Sequence, residues 1–176
     1  MSRTLTRHEG SVGGERLAIS AEAERRENGT VSLRYVLSGA IGDVALSPER
    51  PPARTDELWR TTCFEAFVSD GDGGYVEINL APSTAWAAYR FDGYRSGMAP
   101  AEVSPPQVVA TRAPERFTLT ADVKVGGLSQ DRPWLCGLTA VVEDGSGGVS
   151  YWALAHPGEK PDFHHPDSFV LELPAP

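Results

Sequence analysis

Two carboxylates, an amide and two aromatic rings recur at alternating positions of one short stretch, WRTTCFEAFVSDGDGGYVEINLAPS at residues 59–83. Alternate residues of a β-strand point to one face of a sheet, and antiparallel partners share a face when an odd number of loop residues joins them. The side chains concerned are Glu65, Phe67, Tyr75, Glu77 and Asn79. Aromatic rings among fixed polar groups can hold a small polar ligand, and the alternative interpretation is a solvated sheet face.

The residues between these polar positions are apolar and predict the face that packs into a core. They are Phe64, Ala66, Val68, Val76, Ile78 and Leu80. The DGDGG segment between the two runs can make a hairpin turn, because glycine tolerates positive φ. We therefore expect a β-hairpin with an apolar inner face and a polar outer face.

A second polar cluster lies in the proline-flanked segment GEKPDFHHPDS at residues 158–168. Proline fixes φ and lowers the entropy cost of ordering a loop, so its polar groups should be held in place. His164 is the predicted binding residue of this loop, whereas His165 is expected to pair with a neighbouring aspartate. Adjacent histidines rarely bind one ion together, and no C-x-x-C or H-E-x-x-H motif accompanies them. No metal site is predicted.

Further aromatic and basic residues near the hairpin complete a predicted ligand-binding surface. An indole or phenol ring can stack on the C–H face of a sugar, while carboxylate, amide and guanidinium groups take its hydroxyls. The predicted ligand-binding residues are Trp59, Arg60, Glu65, Glu77, Asn79, Trp86, Tyr89, Arg90 and His164. Arg90 and Arg95 have the alternative of simple pairing with carboxylates. Trp134 is expected in the core, and Trp152 in the core or on the face.

The sequence carries no recognisable catalytic motif, neither a G-x-S-x-G elbow nor a phosphate-binding glycine loop. Cys63 lies in the middle of a predicted strand, where a thiol is ordinarily buried and unreactive. Glu65 and Glu77 could form a glycosidase pair, with their separation deciding between retaining and inverting chemistry. Sugar binding requires the same residue types, so we predict a non-catalytic module and keep a glycoside-active enzyme as the alternative.

Most of the remaining chain also alternates with the period of a strand, with a strong turn signal at Asn28-Gly29. Residues 44–58 are a proline-rich connection without helix or strand pattern. Residues 84–91 contain several alanines, but their aromatic spacing and flanking turn residues predict a strand. About ten short strands without a predicted helix indicate an all-β, two-sheet antiparallel β-sandwich of Ig-like or jelly-roll type. We expect a single domain over residues 1–176.

Composition and charge limit the kinds of binding partner and the cellular compartment that can be expected. The 176 residues carry a formal net charge of −8, which disfavours a nucleic-acid partner. No apolar run approaches the ~18–20 residues that cross a bilayer, so no membrane is expected, and the start of the chain lacks the apolar region of a secretory signal. We therefore expect a cytoplasmic protein whose two cysteines, Cys63 and Cys136, remain free thiols.

Segments of the chain resemble the DOMON-like family, which is related to family 9 carbohydrate-binding modules. The family-9 pattern has a tryptophan leading into E-x-F, then Y-x-E-x-N/S-x-x-P, and D/N-F-H-x-P-x-x-F near its end. The matching residues are Trp59, Glu65, Phe67, Tyr75, Glu77, Asn79, Pro82, Phe163, His164, Pro166 and Phe169. The resemblance covers roughly residue 59 onward and implies a sandwich of sugar-binding type. It implies no activity for this chain, since a fold does not fix a function.

The wider superfamily of this resemblance is described as haem- or sugar-binding, so two ligand classes are implied. Haem-binding relatives ligate iron through a Met–His pair, which here could come only from Met98 with His156, His164 or His165. Met98 lies in a loop, where a surface role is the ordinary one, so no cofactor is expected and a haem- or metal-binding sandwich domain is the alternative. The predicted partner is a saccharide or another small polar ligand.

Overall fold

The computed structural model describes residues 1–176 and places most of the regular structure in twelve strands. The strands are β1 (Arg3–Arg7), β2 (Leu17–Arg25), β3 (Thr30–Gly39), β4 (Cys63–Ser69), β5 (Tyr75–Leu80), β6 (Trp86–Phe91), β7 (Ala99–Pro100), β8 (Gln107–Ala113), β9 (Arg116–Lys124), β10 (Trp134–Glu143), β11 (Val149–Ala153) and β12 (Leu171–Leu173). Four 3₁₀-helices of three residues each lie at Glu27–Gly29, Ile41–Asp43, Leu58–Arg60 and Pro166–Ser168. None of these helices has the length and apolar content to cross a bilayer.

All strand pairs are antiparallel, and one continuous path runs through them in the order β7-β6-β5-β4-β10-β11-β1-β2-β3-β9-β8, with β12 added to β10. β1 joins the two halves of this path, because Arg3–Leu5 pair with β2 and Thr6–Arg7 pair with β11. The predicted all-β antiparallel class is confirmed, with twelve strands instead of about ten. Two separate sheets are not observed, because β1 connects the halves into one curled sheet.

The core lies between the two halves of the curled sheet. The ring of Phe64 on β4 stacks on Phe117 of β9 with 5.7 Å between ring centroids, and Tyr35 of β3 lies 5.2 Å away. All six apolar residues predicted for the inner face of the hairpin belong to this core. Their pairing, Phe64 with Leu80, with the other two pairs in the same register, confirms the predicted alignment of the hairpin. Trp134 and Trp152 also lie in this core.

The predicted polar face of the hairpin is buried as well. A second apolar cluster covers it and includes Cys63, Phe67, Tyr75, Phe163 and Phe169. The last two residues belong to the segment that precedes β12, which folds back over β4 and β5. The interpretation of this face as a solvated surface is therefore wrong. Polar side chains that remain under such a cover need partners, because water no longer supplies them.

The secondary structure of residues 44–58 and of residues 86–91 agrees with the predictions made from their sequences. Residues 44–58 contain no strand, and their regular structure is limited to the start of a 3₁₀-helix and isolated bridges at Val44 and Arg54. Residues 86–91 form β6 and confirm the strand prediction over the helical alternative. Arg54 forms its bridge with Trp86, so the proline-rich connection runs along the edge of β6.

Both cysteines are buried free thiols, as predicted. Burial raises the pKa of the Cys63 thiol well above its usual value and raises that of Cys136 to about 12. We expect the folded protein to resist an aromatic disulfide reagent near neutral pH, since the thiolate is the reactive species. After denaturation in guanidinium, two thiols per chain should titrate. Rapid labelling of the folded chain, or a count below two after denaturation, would contradict this arrangement.

Candidate functional site

A pocket of about 420 Å³ opens on the outer face of the central hairpin. Its floor comes from β4 and β5 through Glu65 and Glu77, and Pro161, Phe163 and His164 form one wall. The remaining lining residues are Trp59, Phe91, Arg95, Met98, Val141 and Tyr151. The pocket thus joins the two polar clusters of the sequence, the hairpin and the segment before β12, into one site.

The hairpin register places the two floor carboxyls side by side. Glu65 lies opposite Asn79, and Glu77 lies opposite Phe67, so the two glutamates are diagonal neighbours on one face. Glu65 is 3% exposed and Glu77 is 5% exposed. Carboxyl groups this deeply buried interact strongly, because little water screens their charges.

Glu77 is held by one amide and faces one imidazole. The Nδ2 of Asn79 donates to Glu77 Oε1 at 2.7 Å, and the Nε2 of His164 lies 3.9 Å from Glu77 Oε2. Burial raises the pKa of Glu77, while the Asn79 hydrogen bond and the charge of Arg95 lower it. Asn79 is fully buried and does not line the pocket, so its role is to position Glu77.

Glu65 has fewer partners than its burial demands. The Thr139 hydroxyl donates to Glu65 Oε2 at 3.3 Å, and Glu65 Oε1 has no hydrogen-bond partner. Burial, followed by the negative charge of Glu77, raises the pKa of Glu65 to about 8. Glu65 therefore keeps its proton at neutral pH, and Glu77, whose charge contributes to this shift, is the first of the pair to ionise. A protonated carboxyl can donate a hydrogen bond into the pocket.

His164 is a neutral imidazole within a group of aromatic rings. Its ring centroid lies 5.1 Å from the rings of both Phe67 and Phe91. The Tyr75 hydroxyl accepts the backbone N–H of Arg95 at 3.2 Å, which leaves its own proton for His164 Nδ1 at 2.7 Å. The Nε2 of His164 then carries the ring proton, and it lies 3.9 Å from Glu77 Oε2, beyond hydrogen-bond distance. Burial, and then the charge of Arg95, lowers the pKa of His164 to about 4.

The loop that carries His164 is fastened by Asp162. Its Oδ1 accepts the backbone N–H of His164 at 3.2 Å and pairs with the Arg95 guanidinium at 2.8 Å, while Oδ2 accepts the Tyr94 hydroxyl. His165 contacts Asp167 and does not line the pocket, as the sequence predicted. The wall of the pocket therefore depends on a charged pair between two loops.

Six of the predicted ligand-binding residues lie in or beside the pocket. Glu65, Glu77 and His164 line it, Asn79 supports it, and Trp59 lies at its mouth with 36% of its surface exposed. The Tyr89 ring meets Trp59 edge-on at 6.0 Å, and its hydroxyl donates to Asp56.

The structure does not bring Arg60, Trp86 and Arg90 to the pocket. Trp86 pairs with Leu80 and Arg90 pairs with Val76, so both side chains lie on the face of the sheet opposite to that of Glu77. Trp86 is therefore part of the inner core. Arg60 and Arg90 are exposed and form ion pairs with Glu57 and Asp92.

Several lining residues were missed by sequence reasoning. Phe91 shares the strand parity of Tyr89 on β6, and this periodicity could have revealed it. Val141 and Tyr151 reach the pocket because β10 pairs with β4, and β11 pairs with β10. The pairing of β10 with β4 is long-range, and no local sequence pattern predicts it. Arg95 is not among the predicted binding residues; the alternative given for it, pairing with a carboxylate, is what it does with Asp162.

The haem alternative can be tested against the same geometry. Met98 and His164 both line the pocket, whereas His156 and His165 do not. His164 Nδ1 is engaged by Tyr75, and the Glu77 carboxyl lies in front of Nε2. Nδ1 is thus occupied by a hydrogen bond, Nε2 lies 3.9 Å from Glu77 Oε2, and the expectation of no cofactor stays a prediction.

Solved structures with a similar fold provide the comparison for this site. A protein from Bacteroides uniformis, described as a candidate carbohydrate-binding protein, superposes with a TM-score of 0.67 at 15% identity, over 99% of this chain and 85% of that one. The chain shares its fold. A family 9 carbohydrate-binding module from Caldicellulosiruptor kristjanssonii in complex with cellotriose has a TM-score of 0.53 at 8% identity, covering 97% of this chain and 80% of the module. The same kind of module in complex with glucose has a TM-score of 0.52 at 8% identity, covering 97% and 83%.

At these low sequence identities, the three similarities show a shared fold and nothing more. No family model matches the sequence, and no curated protein matches it. The chain shares the fold of the family 9 modules, and both the family-9 relation and the DOMON-like assignment stay predictions.

Proposed function

We propose that the protein is a non-catalytic binding module whose pocket takes a saccharide or a similar small polar ligand. The observation that carries the proposal is Glu65, a residue that lines the pocket and whose buried Oε1 has no hydrogen-bond partner. A buried polar atom of this kind is satisfied when a ligand supplies the missing group. Similar folds in complex with cellotriose and glucose support a saccharide as that ligand.

The pocket offers the two kinds of contact that a sugar needs. Trp59, Tyr151 and Phe163 provide aromatic surface against which the C–H face of a pyranose ring can pack. Glu77 can accept hydrogen bonds from hydroxyl groups, and the protonated Glu65 can donate one. The half-exposed Arg95 guanidinium adds a donor at the mouth. Rings and polar groups therefore approach one ligand from different sides.

Replacing Glu77 by glutamine tests this proposal, because the change keeps the shape and removes the charge. We expect saccharide binding to weaken by roughly 1–3 kcal/mol, the usual scale of a charge-assisted hydrogen bond, with little change in stability. Thermal melts with and without a panel of mono- and disaccharides measure both effects. The exposed Glu115→Gln is the matched control. A less stable Glu77→Gln protein, in a chain that no saccharide stabilises, would leave only a structural polar network.

A glycoside-active enzyme is a second candidate, and the protonation of the pair favours it. A carboxylic acid beside a carboxylate is the arrangement that glycosidases use as general acid and as base or nucleophile. A binding module should release no nitrophenol from nitrophenyl glycosides. Turnover that is abolished in Glu65→Gln and retained in Glu115→Gln would favour the enzyme.

A further inference from the structure

The floor of the pocket holds two carboxyl groups and no cation paired with them. Asn79 donates to Glu77, and the imidazole facing Glu77 is neutral; the one donor to Glu65 is a hydroxyl. Arg95 is the one basic residue that lines the pocket, and its guanidinium binds Asp162 Oδ1 at 2.8 Å. Its side chain is 51% exposed, which places its charge at the mouth. No cation is thus paired with the floor carboxyls, and the charge of Arg95, which already pairs with Asp162, acts on Glu77 only from the mouth.

The remaining titratable groups near the two carboxyls do not change this balance. These groups are Tyr35, Tyr75 and Cys63. Burial raises the pKa of each of them, so all three are neutral near pH 7. The partner that the floor lacks must therefore come from a bound molecule that is positively charged or rich in donors.

A metal ion is a poor candidate for this partner. No group of three or more histidine, cysteine, aspartate or glutamate side chains is placed to hold a metal. Aromatic rings at the mouth and walls, including Trp59, Tyr151 and Phe163, suit an organic cation instead, because a ring face attracts positive charge. An ammonium group also brings three donors, and Glu65 Oε1 has an open acceptor position for one of them.

We propose that Glu65 and Glu77 form an ammonium subsite and that the ligand of the pocket is a saccharide with a free amino group, a hexosamine in the simplest case. This inference rests on the proposed function as a saccharide-binding module. The ammonium N–H groups donate to Glu65 Oε1 and Glu77 Oε2. Glu65 ionises as the cation arrives, and its proton passes to solvent. Binding therefore forms two charge-assisted hydrogen bonds and releases one proton, with no covalent change.

Isothermal titration calorimetry with matched sugar pairs tests the inference. Glucosamine, galactosamine and mannosamine are each compared with glucose, galactose and mannose, near pH 6.5 where the amines are charged. We expect at least one amino sugar to bind tenfold or more tightly than its neutral parent. Titrations in two buffers of different ionisation enthalpy should show proton release for the amino sugar and none for the parent. Glu65→Gln should abolish this release, and Glu115→Gln should retain it.

The outcomes separate this inference from the proposed function. Equal affinity for each amino sugar and its parent would overturn the ammonium subsite and leave saccharide binding intact. Binding of ethanolamine as tight as that of any amino sugar would overturn the saccharide ligand and retain the ammonium subsite. No binding by any amino or neutral sugar would overturn both.

Discussion

Replacing Phe64 by alanine is expected to lower the free energy of unfolding by about 3–5 kcal/mol, the usual cost of removing a fully buried phenylalanine. The Phe64 ring is 0% exposed and contacts Phe117 and Tyr35 across the core. It therefore connects β4, which carries the pocket, to β3 and β9 in the other half of the sheet. Urea denaturation followed by fluorescence measures the loss.

Two matched variants serve as controls, one for side-chain volume and one for an exposed position. Phe64→Leu retains most of the volume and should cost less than the alanine change. Val109→Ala, at a position that is 57% exposed on β8, should stay within roughly 0.5 kcal/mol of the parent. A loss below about 1 kcal/mol for Phe64→Ala would show that the two halves do not pack through this ring.

The second large effect is a decline in stability as the pH rises through neutrality. The pKa of Glu65 is raised from 4.5 to about 8 in the folded chain, so above pH 4.5 the folded state binds a proton that the unfolded state has lost. Stability from this group is fully present below about pH 4.5 and is lost as the pH approaches 8. At ~1.4 kcal/mol per pKa unit, the whole difference amounts to roughly 5 kcal/mol.

Urea denaturation between about pH 7 and pH 8 isolates this decline, with an expected slope near 1 kcal/mol per pH unit. His164 is neutral in the folded state there, because its pKa is lowered to about 4, and in the unfolded state it keeps only a minor protonated fraction, which vanishes toward pH 8. Glu65→Gln should remove the slope and be the more stable protein at pH 8, since glutamine carries no charge to bury. A parent protein with constant stability over this range, or a Glu65→Gln protein less stable than the parent at pH 8, would contradict the assignment.

Local sequence pattern was sufficient to predict the central hairpin. The alternation around Phe64 and Val76 fixed which side chains point inward, and the requirement for an odd loop aligned the two strands. The pairing of Val68 with Val76 agrees with that requirement. The register also places Glu65, Glu77 and Asn79 on one face, so the floor of the pocket follows from the period of a strand.

Strand parity beyond the hairpin was harder to predict. Trp86 and Arg90 have the right residue types for a sugar-binding surface, but their side of the sheet depends on how residues 81–85 turn. Thr84 takes a positive φ of 70° in that turn, a conformation that nothing in its residue type suggests. The turn pairs Trp86 with Leu80 and directs the indole into the core.

The walls and the cover of the pocket required long-range information. Val141 and Tyr151 depend on the pairing of β4 with β10, and Phe163 depends on the return of the chain before β12. The paired residues of β4 and β10 are more than sixty positions apart, so the hydrophobic periodicity of a short stretch of sequence cannot predict these contacts. Burial of the polar face, which separates a pocket from a solvated surface, was therefore beyond local pattern.

The pairing of β4 with β10 also affects how the chain is made. During synthesis β4 and β5 emerge before β10, and the edge of β4 stays open until residues 134–143 have been translated. Phe67 and Tyr75 then remain uncovered until the segment with Phe163 and Phe169 arrives. At ~5–20 residues per second, the nascent chain presents an unpaired strand edge and exposed rings for several seconds. Such exposed surface favours aggregation during that interval, and the pocket is complete only once the segment with Phe163 and His164 has been made.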